Sequence, residues 1–142
     1  MNATLASAAS ALTFVWLGMV LAISFLEAPL KFRAPAVTVP VGLGIGRLVF
    51  RALNRIEAVL AVAVIVLVAA GGASVLVAVL TGVTVLVLAV QLLVVRPGLN
   101  RRSDRVLAGE TLPRSRTHHV YVVTESVKVL ALIALGTVLL GA

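Results

Sequence analysis

An all-α fold, a polytopic membrane four-helix bundle with a basic amphipathic extension before helix 2, is what this chain predicts. Three observations lead there. Long runs of apolar residues recur four times, separated by short polar stretches. The composition is 61% hydrophobic and only 12% charged, with a mean hydropathy of +1.19, whereas a soluble domain carries about 25% charged residues. Eleven of the twelve Lys and Arg residues fall in two stretches, Lys31 to Arg55 and Arg96 to Arg116, as expected of loops that stay on the cytoplasmic side. One domain spanning residues 1–142 fits this length.

The first helix is expected over 5–28. The residues before it lack the basic start of a secretory signal, and the apolar run leads into Glu27-Ala28-Pro29 rather than a small-residue cleavage site, so it reads as a retained membrane helix. Pro29 should end it, because a proline disfavours helix at the residue before it. Pro29, Pro35 and Pro40 then keep the connecting stretch extended. Gly42-Leu43-Gly44-Ile45-Gly46 superficially resembles a phosphate loop, but no strand precedes it, and it reads as a flexible helix entry.

Helix 2 is expected over 43–70, and its first turns are basic. Arg47, Arg51 and Arg55 recur every four residues among Leu48, Val49, Leu53 and Ile56, the pattern of an amphipathic helix lying at lipid headgroups. Gly71-Gly72 makes a tight turn into helix 3, over 74–95, which Arg96-Pro97-Gly98 should close. The stretch from Asn100 to Arg116 reads as a second basic loop holding a short helix capped by Ser103 or Asp104. Helix 4 follows over 118–140.

Two spans separate the basic stretches, so both belong on one side. The positive-inside rule assigns them to the cytoplasm of a bacterial-type inner membrane, with the Gly71-Gly72 turn and both termini outside. The net charge of +7 then suits anionic lipid headgroups, with Arg47, Arg51 and Arg55 as the contacts, rather than nucleic acid. The absence of cysteine excludes disulfides, thiolate metal sites, iron–sulfur clusters and thioether-linked haem.

This topology brings polar residues of all four helices to the inner leaflet. They are Glu27 on helix 1, Asn54 and Glu57 on helix 2, Gln91 on helix 3, and His118, Tyr121, Glu125 and Lys128 on helix 4. The helix 4 residues are spaced 3, 4 and 3 apart, a single stripe on an α-helix. Ser24 and Glu27 share a face by the same argument. A charge at membrane depth costs at least about 2.5–3.5 kcal/mol unless paired or wetted, which makes these side chains functional candidates. Each alone has a plainer reading: Glu125 and Lys128 as a neutralising pair, Glu27 and Glu57 as interfacial, the histidines as a helix start, Gln91 as an interhelical hydrogen bond, Trp16 and Tyr121 as core or belt aromatics. Their convergence is what points to a site.

Three functional classes fit such a site. The first binds or transports a cation or a proton-coupled small solute, with Glu27, Glu57 and Glu125 as charge carriers, His118 as ligand or relay, and Lys128 balancing Glu125. Glu27, Glu57, His118 and Glu125 would be the ligands if a divalent metal is the cofactor. The second is a structural or accessory subunit of a larger membrane complex; four spans are few for a transporter acting alone, so either way a homo-oligomer or a partner complex is expected. The third is an intramembrane metal- or haem-dependent oxidoreductase, although the Glu-x-x-His pairs of di-metal bundles are missing. No Walker loop, nucleophile elbow or zinc-protease motif occurs, and the enzyme reading is the less favoured.

The segment Trp16-Leu17-Gly18-Met19 through Ser24-Phe25-Leu26-Glu27-Ala28-Pro29-Leu30-Lys31-Phe32-Arg33 resembles the first helix of small four-helix membrane proteins similar to the transmembrane protein 205 group. There a glycine-containing helix ends in Ser-Phe, Ala-Pro and Phe-Arg. The resemblance implies the four-helix topology and no activity.

Overall fold

The computed structural model describes residues 1–113 and 116–142; the expected loop residues Arg114 and Ser115 lie outside the described residues. Among the described residues, four helices account for the fold: α1 (Ala3–Arg33), α2 (Val39–Ala70), α3 (Val75–Leu107) and α4 (Arg116–Leu140). Each is long and apolar enough to cross a membrane. They form an up-and-down ring in which α1 packs against α2 and α4, and α3 against α4 and α2.

Side-chain caps explain where the helices begin. Asn2 accepts from the Thr4 and Leu5 amides at 3.0 and 3.2 Å, and its own amide donates to the Gly71 carbonyl at 3.1 Å. That bond ties the start of α1 to the α2–α3 turn. Thr38 caps α2 with Pro40 in the first turn, so the helix starts before the expected residue 43. This proline is a helix start rather than an extended spacer, because its missing N–H costs nothing there. Ser74 caps α3.

Two predicted helix ends are corrected. Neither Pro29 nor Arg96-Pro97-Gly98 terminates its helix; α1 continues to Arg33 and α3 to Leu107. Ala28, despite preceding a proline, keeps helical angles of φ −57° and ψ −51°. In both places a π-helical turn comes just before, at Leu21–Glu27 and Gln91–Val95, so that Ala28 donates to Ile23 and Arg96 to Gln91, five residues back. A proline ring clashes with the carbonyl four residues behind it, and a wider turn moves that carbonyl aside. Consequently Ser103 and Asp104 sit inside α3 and cap nothing. The Gly42–Gly46 segment is not a flexible entry either, since it lies within α2 and Gly42 and Gly46 are buried. A Cβ at Gly42 would stand 2.2 Å from the Phe32 ring, so glycine is what lets the end of α1 lie across α2.

The core is aliphatic around one tryptophan. Trp16, Leu17, Val20, Leu60, Ala61, Leu88 and Leu132 pack at mid-bundle, and Ala9, Val64, Val68, Val77, Leu135 and Leu139 fill the end nearer Gly71. Small residues bring α1 and α4 close, where Ser10 Oγ donates to the Gly136 carbonyl at 3.1 Å. The outward faces carry exposed aliphatic side chains such as Val59, Leu93 and Leu130.

Candidate functional site

A fully buried charge cluster occupies the middle of the bundle. Lys128, twelve residues from either end of α4, is 1% exposed. Its Nζ lies 2.6 Å from Glu57 Oε1 on α2 and 2.6 Å from Glu125 Oε1 on its own helix. It also donates to Gln91 Oε1 on α3 at 2.8 Å. Trp16 on α1 completes the ring by donating its indole N–H to Glu57 Oε1 at 2.9 Å. The four helices each contribute at least one side chain, and the ammonium's three hydrogens match its three acceptors.

Glu125 links this cluster to a second set of groups. Its Oε2 accepts from Ser24 Oγ at 2.6 Å and from the Tyr121 hydroxyl at 2.5 Å. Ser24 and Tyr121 are themselves 2.8 Å apart. Gln91 is held by Thr124 Oγ1 at 3.0 Å. Thus one oxygen of Glu125 faces the buried lysine and the other faces two hydroxyls.

Those hydroxyls border a cleft of about 500 Å³ toward the basic end of the bundle, with a mainly apolar wall that includes Phe25, Phe32, Phe50 and Leu99. Lys31, Arg47, Arg96 and His118 also line it. Arg96 places its guanidinium 4.4 Å from the Phe50 ring centre and 5.0 Å from that of Tyr121, while those two rings meet edge-on at 5.7 Å. Cations over ring faces are attracted by the ring quadrupole.

The structure gathers some of the predicted residues and disperses others. Glu57, Gln91, Tyr121, Glu125 and Lys128 converge as the polar stripe implied. Glu27 does not join them; it faces Lys31 at 3.6 Å, an electrostatic contact too long for a hydrogen bond. The shared face argued for Ser24 and Glu27 assumed α-helical spacing, and the π turn across both residues removes it. Asn54 is half-buried and outside the network. His118 is exposed, its ring 6.1 Å from that of His119. Glu27, Glu57, His118 and Glu125 therefore do not share a point, and among the described residues no three His, Cys, Asp or Glu side chains assemble as a metal-ligand group. Of the arginine stripe, Arg51 and Arg55 are exposed, but Arg47 turns to Asp104 on α3. A four-residue repeat drifts around a helix of 3.6 residues per turn, which separates the first arginine from the last.

Sequence reasoning put Ser24 on the inward face of helix 1 but overlooked Trp16, Thr124 and Arg96 as members of the site. Trp16 had a readable signal: it is the sole tryptophan, placed mid-span, where its N–H needs an acceptor. Arg96 had none, because it resembled an ordinary interfacial stop. No family model, curated protein or solved structure matches this chain.

Proposed function

We propose that this is a multi-pass inner-membrane protein whose cleft binds a small solute in a proton-coupled manner, the basic end facing the cytoplasm. The observation that carries the reading is the divided role of Glu125. One oxygen belongs to a fully buried ion cluster and the other to the hydroxyls bordering the cleft. A carboxylate placed between a buried charge cluster and the hydroxyls of an open cleft is where a proton can be exchanged with the outside. Two carboxylates share one ammonium, so the triad of Glu57, Glu125 and Lys128 carries a net charge of −1 when all are ionised. Adding one proton makes it neutral, and neutrality is what a low-dielectric interior favours. The asymmetry of basic residues supports the orientation.

Infrared difference spectroscopy of the protein in lipid nanodiscs tests this. Acidification should produce a reversible protonated-carboxyl band that Glu125→Gln removes and Glu27→Gln leaves in place. A band indifferent to Glu125→Gln would overturn the reading.

A further inference from the structure

Charge pairing around the cleft is uneven, and the unevenness identifies a ligand. Lys31 has Glu27 and Arg47 has Asp104. Lys128 has two carboxylates. Arg96, half-buried and lining the cleft, forms no ion pair with a carboxylate among the described residues. Its guanidinium lies 5.0 Å from the centre of the Tyr121 ring, whose hydroxyl reaches Glu125, and it interacts electrostatically with Glu125 and Glu57. Arg96 and the triad together are formally neutral. Among the described Lys and Arg residues lining the cleft, Arg96 is thus the one with no carboxylate in ion-pair contact, and also the charge that offsets the second carboxylate.

We infer that the cleft takes a monovalent oxyanion carrying an apolar body, and that each such anion binds together with one proton. The inference rests on the proton-coupled reading above and supplies its substrate class. Phe25, Phe32, Phe50 and Leu99 would cover the apolar part. The fork of Arg96 suits a carboxylate or phosphodiester. An anion paired with Arg96 withdraws the compensation from the triad and leaves it at −1. One proton on the Glu125–Glu57 pair then restores neutrality. The other titratable or charged groups nearby are Glu27 and Lys31 on α1, Arg47 on α2, Asp104 on α3, and His118 with Tyr121 on α4. His118, which also lines the cleft, is the competing proton acceptor to be tested.

The same chemistry can come from a free organic acid or from a phosphatidylglycerol headgroup. Calorimetry on the full chain in phosphatidylcholine nanodiscs, with hexanoate as probe, separates these ideas. Comparing two buffers of different ionisation enthalpy counts protons. Hexanoate should bind with one proton taken up, its affinity falling about tenfold per pH unit on the alkaline limb, as linkage to a single proton requires. Hexanol and hexylammonium should bind at least about tenfold weaker, the discrimination that about 1.4 kcal/mol confers. Arg96→Gln should abolish hexanoate binding and Arg96→Lys retain part of it, which distinguishes a lost contact from a misfolded bundle. Glu125→Gln should bind hexanoate without proton uptake, whereas His118→Gln should keep the uptake. Replacing part of the phosphatidylcholine with phosphatidylglycerol weakens hexanoate binding if the lipid headgroup is the natural occupant, and leaves it unchanged if a free acid is. A preference for hexylammonium or hexanol, or hexanoate binding without proton uptake by the unsubstituted chain, overturns the inference. Loss of hexanoate binding with the Glu125 infrared band intact refutes the ligand class alone; loss of that band refutes the reading beneath it.

Discussion

Replacing Lys128 by methionine is the sharpest test of the buried cluster, because methionine keeps most of the length and removes the charge with its three donors. The two carboxylates each lie 2.6 Å from the same nitrogen, so they are at most about twice that distance apart. Two unit charges about 5 Å apart repel by roughly 3 kcal/mol at an effective dielectric of about 20. Gln91 Oε1 also loses its donor. Removing one partner of a buried pair ordinarily costs about 3–5 kcal/mol, and Lys128→Met should fall in that range. Adding Glu57→Gln removes the repulsion, so the double variant should recover at least about 2 kcal/mol rather than lose more. Lowering the pH supplies protons to the two carboxylates and should narrow the gap between Lys128→Met and the unsubstituted protein. The assay is reversible unfolding in mixed detergent micelles, followed by the emission of Trp16, the sole tryptophan. A single variant within about 1 kcal/mol of the unsubstituted protein, or a Glu57→Gln cost that simply adds, would refute the shared-counterion argument.

Three further outcomes are expected. Trp16→Phe keeps the ring packing but removes the donor to Glu57 Oε1; it should cost about 1.5–3 kcal/mol, as hydrogen bonds to charged groups do, measured by loss of far-ultraviolet circular dichroism. Gly136→Leu should cost about 1–3 kcal/mol through overpacking of the α1–α4 seam, because even a Cβ there would stand 2.8 Å from Phe14 Cζ; the same dichroism assay reads it. The chain has no cysteine, so single-cysteine labelling in intact cells is clean: an impermeant maleimide should modify Ala142→Cys directly and Glu110→Cys only after permeabilisation. The reverse pattern would invert the proposed orientation.

How much of this could be read in advance depended on which physical signal each residue carried. The four apolar runs were legible because length and hydropathy alone define a span candidate. Tyr121, Glu125 and Lys128 were legible because their 3–4 spacing survives on a regular helix, and α4 is regular throughout. Helix ends were less so. By local rules a proline breaks a helix, yet the chain absorbs Pro29 and Pro97 with π turns, and no local composition rule announces a π turn. The same turn undid the pairing of Ser24 with Glu27. Pro40 was decipherable, since Thr38 two residues earlier is an N-cap residue and proline suits a first turn. Arg96 was beyond reach, because its meaning comes from Phe50 and Tyr121 on two other helices.

The cluster could in principle serve only the fold. An ammonium joining side chains of α2, α3 and α4, with Trp16 of α1 bonded to Glu57, would set the register of four otherwise greasy helices. Buried ion pairs are, however, weak contributors to net stability against apolar replacements, and a register device needs no connection to the surface. Here Glu125 turns its second oxygen toward Ser24 and Tyr121, both of which line the cleft. Replacing Ser24 by alanine separates the two roles. Ser24 donates to Glu125 and forms no hydrogen bond with Lys128 or Glu57, so a structural cluster should lose only about 1.5–3 kcal/mol, the net worth of a hydrogen bond to a charged group. A working site should also shift the frequency of the Glu125 carboxyl band. An unshifted band together with an ordinary stability loss would return the cluster to the scaffold.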